Sequence, residues 1–504
     1  MKSASVYLDT HYRVGEVDRR IFGGFLEHLG RAVYGGVFEP DNAHGLSDPS
    51  TGFRTDVLDA LRPLGLATVR YPGGNFVSSA DWKDGIGPRE SRRRRPDFAW
   101  KSIETNQFGV DDFMAWCRQL GTTPMMAVNL GTAGATDAAQ LLEYCNLSTA
   151  THWADQRRAN GHADPYDVKL WCLGNEMDGP WQAGHVPAEV YAQRARAAGA
   201  MMKGLDPTIQ TVVCGSSGSF LPTYLEWDRT VLEGCWKQVD FISAHHYSTN
   251  YEDDSPRFLG MGVEIDRVLD DYAGVINFVR GRRKSAKPMY VAFDEWNVWY
   301  KDRNGDGLWQ AAPHLLEEVY NFEDALVCAQ YLSAFIRRAD LVKVACLAQI
   351  VNVIGAILTR PTGVLLQSIY HPFAMISNST PSGSVSLRPI VNSPLYAAGS
   401  RGDIPALDVA AVYDVARSRT AVFLTNRSTT DELTVDIQLA DIKAVGPVSM
   451  ESLSGVRLKA ANTWEFPHAV SPRQQSLSPT SAGTIRVTLP APSFVALRSY
   501  VVGR

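Results

Sequence analysis

Eight short apolar runs alternate with helical patterns between about residue 20 and residue 380. That alternation limits the chain to a parallel sheet covered by helices. The runs are Ile21–His28, Ala67–Gly74, Thr123–Gly131, Val168–Glu176, Ile209–Ser216, Val239–Tyr247, Met289–Asn297 and Val342–Asn352. Near-continuous hydrophobics of this kind are strands buried on both faces. Helical spacing appears between them at Thr55–Arg62, Val110–Leu120, Ala188–Lys203 and Asn321–Arg338. Eight such units predict a (β/α)₈ barrel. The alternative is an open doubly wound sheet, against which stands the lack of a GxGxxG turn after the first run.

The ends of the runs are polar: Glu27 and His28, Asn75, Asn129, Asn175 and Glu176, Ser216 and Ser217, His245 to Tyr247, Glu295, and Gln349. Barrel active sites form where the carboxyl ends of the strands converge, so these groups are expected around one cleft. After about residue 380 the pattern changes. SNSTPSGS reads as a loop, and period-two stretches follow at Asp408–Val415, Thr420–Leu424, Glu432–Leu439, Ile485–Leu489 and Ser493–Tyr500. Turns such as NRSTTDE and PTSAGT separate them, which predicts an antiparallel β-sandwich. The expected division is a barrel over 15–380 and a sandwich over 381–504, with an amino-terminal strand within 1–14, read from Ser5–Val14, joining the second unit.

The net charge of −5 gives no reason to expect nucleic acid or a membrane surface as partner. The run Arg92–Arg95 is short and bounded by Glu90 and Asp97, so it reads as a solvated loop or subunit contact. No run approaches the roughly 18 apolar residues of a membrane span. The seven cysteines are odd in number and form no CxxC pair; Cys172, Cys214 and Cys346 sit inside apolar runs. They are expected to be free thiols, with no zinc site, in a reducing compartment. The amino terminus lacks an apolar core of signal-peptide length, so the expectation is cytoplasmic.

Two runs end in a glutamate set among amides and indoles: VKLWCLGNE at Glu176 and MYVAFDEWN at Glu295. Glycoside hydrolysis needs such a pair, with carboxyl groups about 5–5.5 Å apart for retention and about 6.5–9.5 Å for inversion. Glu176 would give the proton, since burial near indoles and another carboxylate raises a carboxyl pKa. Glu295 would attack, with Trp296 and Trp299 as flat walls, and Tyr247 could donate to its second oxygen. His245 and His246, being adjacent on a strand, should face opposite sides. No further ligands at metal-binding spacing accompany them, so no metal is expected. RYPGGN places Arg70 beside a tight turn whose glycines let backbone approach a ligand closely. Asp302–Gly307, DRNGDG, starts like a calcium loop, but Pro313 occupies the twelfth position, so it reads as a polar turn.

Longer segments resemble glycoside hydrolase family 51, the intracellular bacterial α-L-arabinofuranosidases. The likeness is carried by IFGGFLEHLGRAVYGGVFEP, VRYPGGNFVSSADWKDGIGP, AWKSIETNQFG, LWCLGNEMDGPWQAGH, FDEWNVWY, YNFEDALV and CLAQIVNVIGAILT, in order along the barrel region. The resemblance implies a (β/α)₈ TIM barrel with a C-terminal antiparallel sandwich. It implies Glu176 as acid/base and Glu295 as nucleophile of a retaining, exo-acting enzyme that takes arabinofuranosyl units from arabino- or arabinoxylo-oligosaccharides. Glu27, Asn75, Asn175, Tyr247 and Gln349 would hold the sugar ring, Trp100 and Trp299 would border it, and Arg70 and His245 would support the carboxylates. No cofactor is implied, and a homohexamer is. His246 stands where the family often has Gln. Two rival readings remain: the same chemistry on another glycon (β-xylosidase or endo-β-glucanase), and a non-catalytic sugar-binding protein.

Overall fold

The computed structural model describes residues 2–480 and 483–503. Met1 and Arg504, at the ends of the two expected terminal segments, and Ser481 and Ala482, within the PTSAGT turn, lie outside the described residues. All eight apolar runs become strands of one closed parallel barrel, in chain order around the ring. The first four are Gly23–Phe25, Thr68–Tyr71, Thr123–Val128 and Leu170–Leu173. The last four are Gln210–Val213, Phe241–Ser248, Tyr290–Val298 and Val342–Leu347. Period-two alternation sorts their side chains. Phe25, Met125, Ala127, Cys172, Phe241, Val344 and Cys346 pack inside the ring. Met126, Trp171, Leu173, Phe293 and Leu347 face outward into the larger core under the helices.

The four expected helices form at Thr55–Leu61, Val110–Leu120, Ala188–Leu205 and Phe322–Arg337. The last is buried from Phe322 to Ile336 because the barrel and the sandwich cover it from both sides. Asn321 and Asp324 close its amino end reciprocally, each accepting the other's backbone N–H. At its carboxyl end, Arg337 bridges Asp266 of the barrel helix Met261–Arg283 (2.8 Å) and Asp408 of the sandwich (3.0 Å).

The sandwich has a four-stranded and a seven-stranded sheet. Its apolar interior includes Val6, Leu8, Val409, Leu424, Val435 and Ile437. The expected single strand Ser5–Val14 is two strands, Lys2–Leu8 and Arg13–Glu16, and they enter different sheets. Between them Asp9 accepts the His11 N–H (2.8 Å), an Asx turn that breaks the run. Lys2–Leu8 pairs parallel with Leu433–Leu439, the one parallel pair among described sandwich strands. The long strand Ile442–Ser454 escaped the period-two reading because a bulge at Val445–Ser449, spanning Gly446 and Pro447, interrupts its alternation. All seven cysteines are free and buried. No described helix is long and apolar enough to cross a membrane.

Candidate active site

The seventh barrel strand departs from simple alternation where it matters most. Against the sixth strand, Ser243 pairs with Ala292 and His245 with Glu295, so the seventh strand carries one extra residue between these pairs. This bulge lets two consecutive acids, Asp294 and Glu295, both face the barrel axis. It also returns Trp296 to the outside, where it is fully buried against Tyr331, Phe335 and Phe373. The expectation of Trp296 as a wall of the cleft is therefore corrected: strict alternation would have turned it inward, and the bulge cancels that step. His246 packs against Tyr331 (ring centroids 6.0 Å) on the outward side of the sixth strand, although it also borders the cleft. Burial pushes its imidazole down to about 4.

Arg70, on the second strand, is the hub of the floor and is 1% exposed. It donates to Glu295 Oε1 (2.6 Å) and Asn175 Oδ1 (2.6 Å), and its Nε lies 3.2 Å from Asp294. Tyr247 donates to the other Glu295 oxygen at 2.9 Å. Both oxygens of Glu295 are thus held by donors from different strands, which aims the carboxylate. Against the penalty of its burial, Arg70 and His245 hold the Asp294 carboxyl down at about 2. Breaking such a buried pair from one side typically costs about 3–5 kcal/mol, so Arg70 is structural as well as electrostatic.

Glu176 follows the fourth strand, after Gly174 at φ +92°, and itself has φ +44°. A non-glycine residue held in the left-handed region is a strained position of the kind that collects at functional sites. Its Oε1 lies 2.9 Å from His245 Nδ1, and its Oε2 accepts from Trp181 Nε1 at 2.6 Å. Burial and the Glu295 charge push the Glu176 carboxyl above the usual range, opposed by His245 and Trp181. His245 sits among Glu295, Asp294 and Glu176, which together push it up to about 10 despite burial, so it is an imidazolium at neutral pH. One consequence is measurable. His245→Gln removes a cation that holds Glu176 down, so the Glu176 pKa rises. If the protonated form of Glu176 is the active one, the alkaline limb of kcat/KM moves to higher pH; a limb that stays put or moves down contradicts this assignment.

The cleft above these groups has a volume of about 610 Å³. Glu27, Asn75, Trp100, Glu176, Tyr247, Glu295, Trp299 and Gln349 all line it. Glu27 is clamped: it accepts from the Phe76 N–H (2.9 Å), Trp100 Nε1 (3.1 Å) and Gln349 Nε2 (3.3 Å). Burial and the nearby Glu295 charge push its carboxyl up to about 8. The glycines of RYPGGN serve this clamp. A Cβ on Gly74 would lie 2.7 Å from Glu27 Oε2, and one on Gly73 2.8 Å from Glu27 Cγ, so both glycines make room for Glu27, and Gly74 also lines the cleft. On the other wall, Trp299 donates to the Asp302 carbonyl (2.7 Å), Arg303 stacks on it (3.8 Å), and Tyr247 meets it edge-on. The DRNGDG turn therefore props up a wall of the cleft.

Not every polar run end reaches the opening. Asn175 is 1% exposed, with its amide oxygen on Arg70 and its nitrogen 3.4 Å from Gln182. His28 pairs with Glu104 (2.8 Å) and Tyr71 (2.7 Å), and with Asn129 it lines a separate cavity of about 60 Å³. Ser216 bonds Asp228. In the basic run, Arg92 bonds Asp112 (2.7 Å) while Arg93 and Arg94 are exposed. Glu176, His245 and Glu295 place one ligand-type atom each within 4.8 Å of one another. These groups could hold a metal ion, but they are engaged with each other and with Trp181, Arg70 and Tyr247. Trp181 was missed by sequence reasoning; its spacing of five residues after Glu176, within one loop, was the available signal.

The chain is similar to known arabinofuranosidases over nearly its whole length. Residues 60–260 match the model of the alpha-L-arabinofuranosidase 1 domain, and residues 294–493 match that of the alpha-L-arabinofuranosidase C-terminal domain. An intracellular exo-alpha-(1→5)-L-arabinofuranosidase of Acetivibrio thermocellus is 41% identical over 453 residues, 88% of each chain. An exo-alpha-(1→6)-L-arabinofuranosidase of Bifidobacterium longum is 40% identical, covering 99% of this chain and 97% of the relative. The solved structure of a family 51 alpha-L-arabinofuranosidase from Bifidobacterium longum superposes with a TM-score of 0.92 at 37% identity, covering 99% of this chain and 100% of the other.

Proposed function

The chain belongs to glycoside hydrolase family 51 and is an exo-acting α-L-arabinofuranosidase, and from that premise we propose that it works with retention, by a double displacement between Glu295 and Glu176. The observation that carries this reading is the gap between them: a carboxylate oxygen of each lies within 4.8 Å of the other. So close an approach of two oxygens favours the narrower spacing of a nucleophile and an acid acting on one bond over the wider spacing of inversion.

In the first step Glu295 attacks the anomeric carbon while Glu176 protonates the departing oxygen. An arabinosyl ester forms on Glu295. Glu176, now a carboxylate, takes a proton from water, which attacks the same carbon and frees Glu295. Arg70 and Tyr247 aim the nucleophile in both steps, and His245 compensates the charge that alternates on Glu176. Glu27, Asn75 and Gln349, which line the cleft, are the groups we assign to the ring hydroxyls, with Trp100 and Trp299 as walls and Asn175 behind them on Arg70. Contacts that tighten as the ring gains oxocarbenium character raise kcat rather than merely lowering KM.

The substrates in this reading are short arabino- or arabinoxylo-oligosaccharides. Relatives named intracellular, together with the seven free buried cysteines, support a cytoplasmic enzyme. The family resemblance supports a homohexamer. The test of mechanism is stereochemical. Proton NMR of the first sugar released should show the α-anomer before mutarotation, and a slow 2-fluoro-arabinofuranosyl substrate should add its mass to the peptide bearing Glu295. An initial β-anomer, or a label on Glu176, contradicts the proposal.

A further inference from the structure

The sandwich reaches over the barrel at a point that bears on the cleft. After the strand Ile442–Ser454 the chain leaves the sandwich, and Val456, Leu458 and Ala460 pack against the barrel core. The Leu458 carbonyl accepts the Glu323 N–H (3.1 Å), and Ala461 bridges Asn321. Lys459, in the same stretch, sends its ammonium to Glu323 and Asp253. Its side chain is 45% exposed, whereas that of Glu323 is fully buried. Among the described residues, Lys459 is the one cation paired with Glu323. Removing one partner of such a pair leaves an uncompensated buried charge, which is strongly destabilising, so the pair is a fixed point between the two domains.

From Glu323 the connection runs to a wall of the cleft. Its two carboxylate oxygens accept from Asn250 Nδ2 (3.2 Å) and Ser255 Oγ (2.6 Å). These residues flank the loop that follows the sixth barrel strand, and Asn250 Oδ1 accepts the Asp254 N–H within it (3.0 Å). Asp253, at φ +52°, is held from outside by Lys459. Tyr251 belongs to this loop. It lines the cleft, is 63% exposed, and meets Tyr300 edge-on, the residue after Trp299 (centroids 5.9 Å). The loop of Tyr300 is braced from the same helix end, because Lys301 pairs with buried Asp324. Two consecutive acids at the amino end of one helix, where negative charge is favoured, thus tie down two neighbouring loops of the cleft. Glu323 takes its cation from the sandwich, Asp324 from the barrel.

We infer that Lys459 is a positioning residue: through Glu323 it fixes the loop that carries Tyr251, so that this ring meets the bound oligosaccharide. The sandwich is thereby part of the binding machinery, although none of its described residues lines the cleft. A loop held by one buried carboxylate depends on whatever neutralises that carboxylate, and here the neutralising charge sits in another domain. Without it, Asn250 and Ser255 lose a shared anchor and Tyr251 loses its place beside Tyr300. Nothing along this path bonds Glu176 or Glu295, so the effect falls on binding and spares the chemical step. The inference rests on the cleft being where the sugar chain lies, and is indifferent to which glutamate attacks.

The test is a double-mutant cycle in the full chain, read as kcat and KM on arabinotriose. Lys459→Met should raise KM about fivefold, the size of one aromatic contact, and leave kcat within about twofold. Tyr251→Ala should do the same. The double variant should match either single one, because a ring out of position and a ring removed are the same loss. Lys459→Arg, which keeps the charge and the reach, should restore the wild-type KM. If Lys459→Met does not fold, Lys459→Gln takes its place in the cycle, since its amide still donates to Glu323. KM factors that multiply in the double variant, a loss confined to kcat, or a lowered Tm with KM unchanged each overturn the inference. Failure of the underlying reading looks different: Glu295→Ala would then stay active, which no arm of the cycle measures.

Discussion

Glu295→Ala is expected to abolish turnover of aryl α-L-arabinofuranosides, with kcat falling on the order of 10⁵-fold, as losses of a catalytic nucleophile do. The carboxylate it removes is gripped by Arg70 at 2.6 Å and Tyr247 at 2.9 Å, so nothing nearby can stand in for it. No ester can form, and both chemical steps are lost together. Added azide should give no product of retained configuration. Because the alanine leaves Arg70 paired with Asp294 alone on this side, Glu295→Gln should be measured beside it; it keeps the volume and should be comparably inactive. Retained turnover in both variants would place the nucleophile elsewhere.

Glu176→Ala should behave differently with different leaving groups. General acid catalysis typically contributes about 10²–10⁴-fold, and that loss should be felt in full by sugars and alcohols that need the proton. Dinitrophenyl arabinofuranoside, whose phenolate departs unaided, should still transfer its arabinosyl group to Glu295 quickly, and the resulting ester then accumulates because water lacks its base. Azide needs no base and should speed release, giving the α-arabinofuranosyl azide. An inverted azide product from this variant would exchange the two roles.

Much of this architecture was legible along the chain because it rests on local patterns. All eight apolar runs became barrel strands, and the glutamates at Glu176 and Glu295 were visible as carboxylates at strand ends. Tyr247 was expected to reach Glu295 and does. What escaped depends on register. Trp296 was misread as a wall because a bulge between two strands is a property of their pairing, not of either sequence. The amino-terminal strand was read as one because the Asp9 turn is made by a single side-chain hydrogen bond. That Gly73 and Gly74 also make room for Glu27 escaped the reading of RYPGGN, because Glu27 is distant in sequence. Trp181 lies in a loop, where no periodicity marks the direction of a side chain.

The extra residue of the seventh strand makes the site sensitive to strand pairing rather than only to side-chain identity. Pairing the same residues without the bulge would impose strict alternation beyond Ala292, rotating Glu295 toward the helical layer and delivering an indole where the carboxylate had been. The fold could survive with its hydrophobic content intact while the chemistry vanished. Grafting this strand onto another barrel therefore requires copying its misfit with the sixth strand, from Ser243 to His245, along with the two acids themselves.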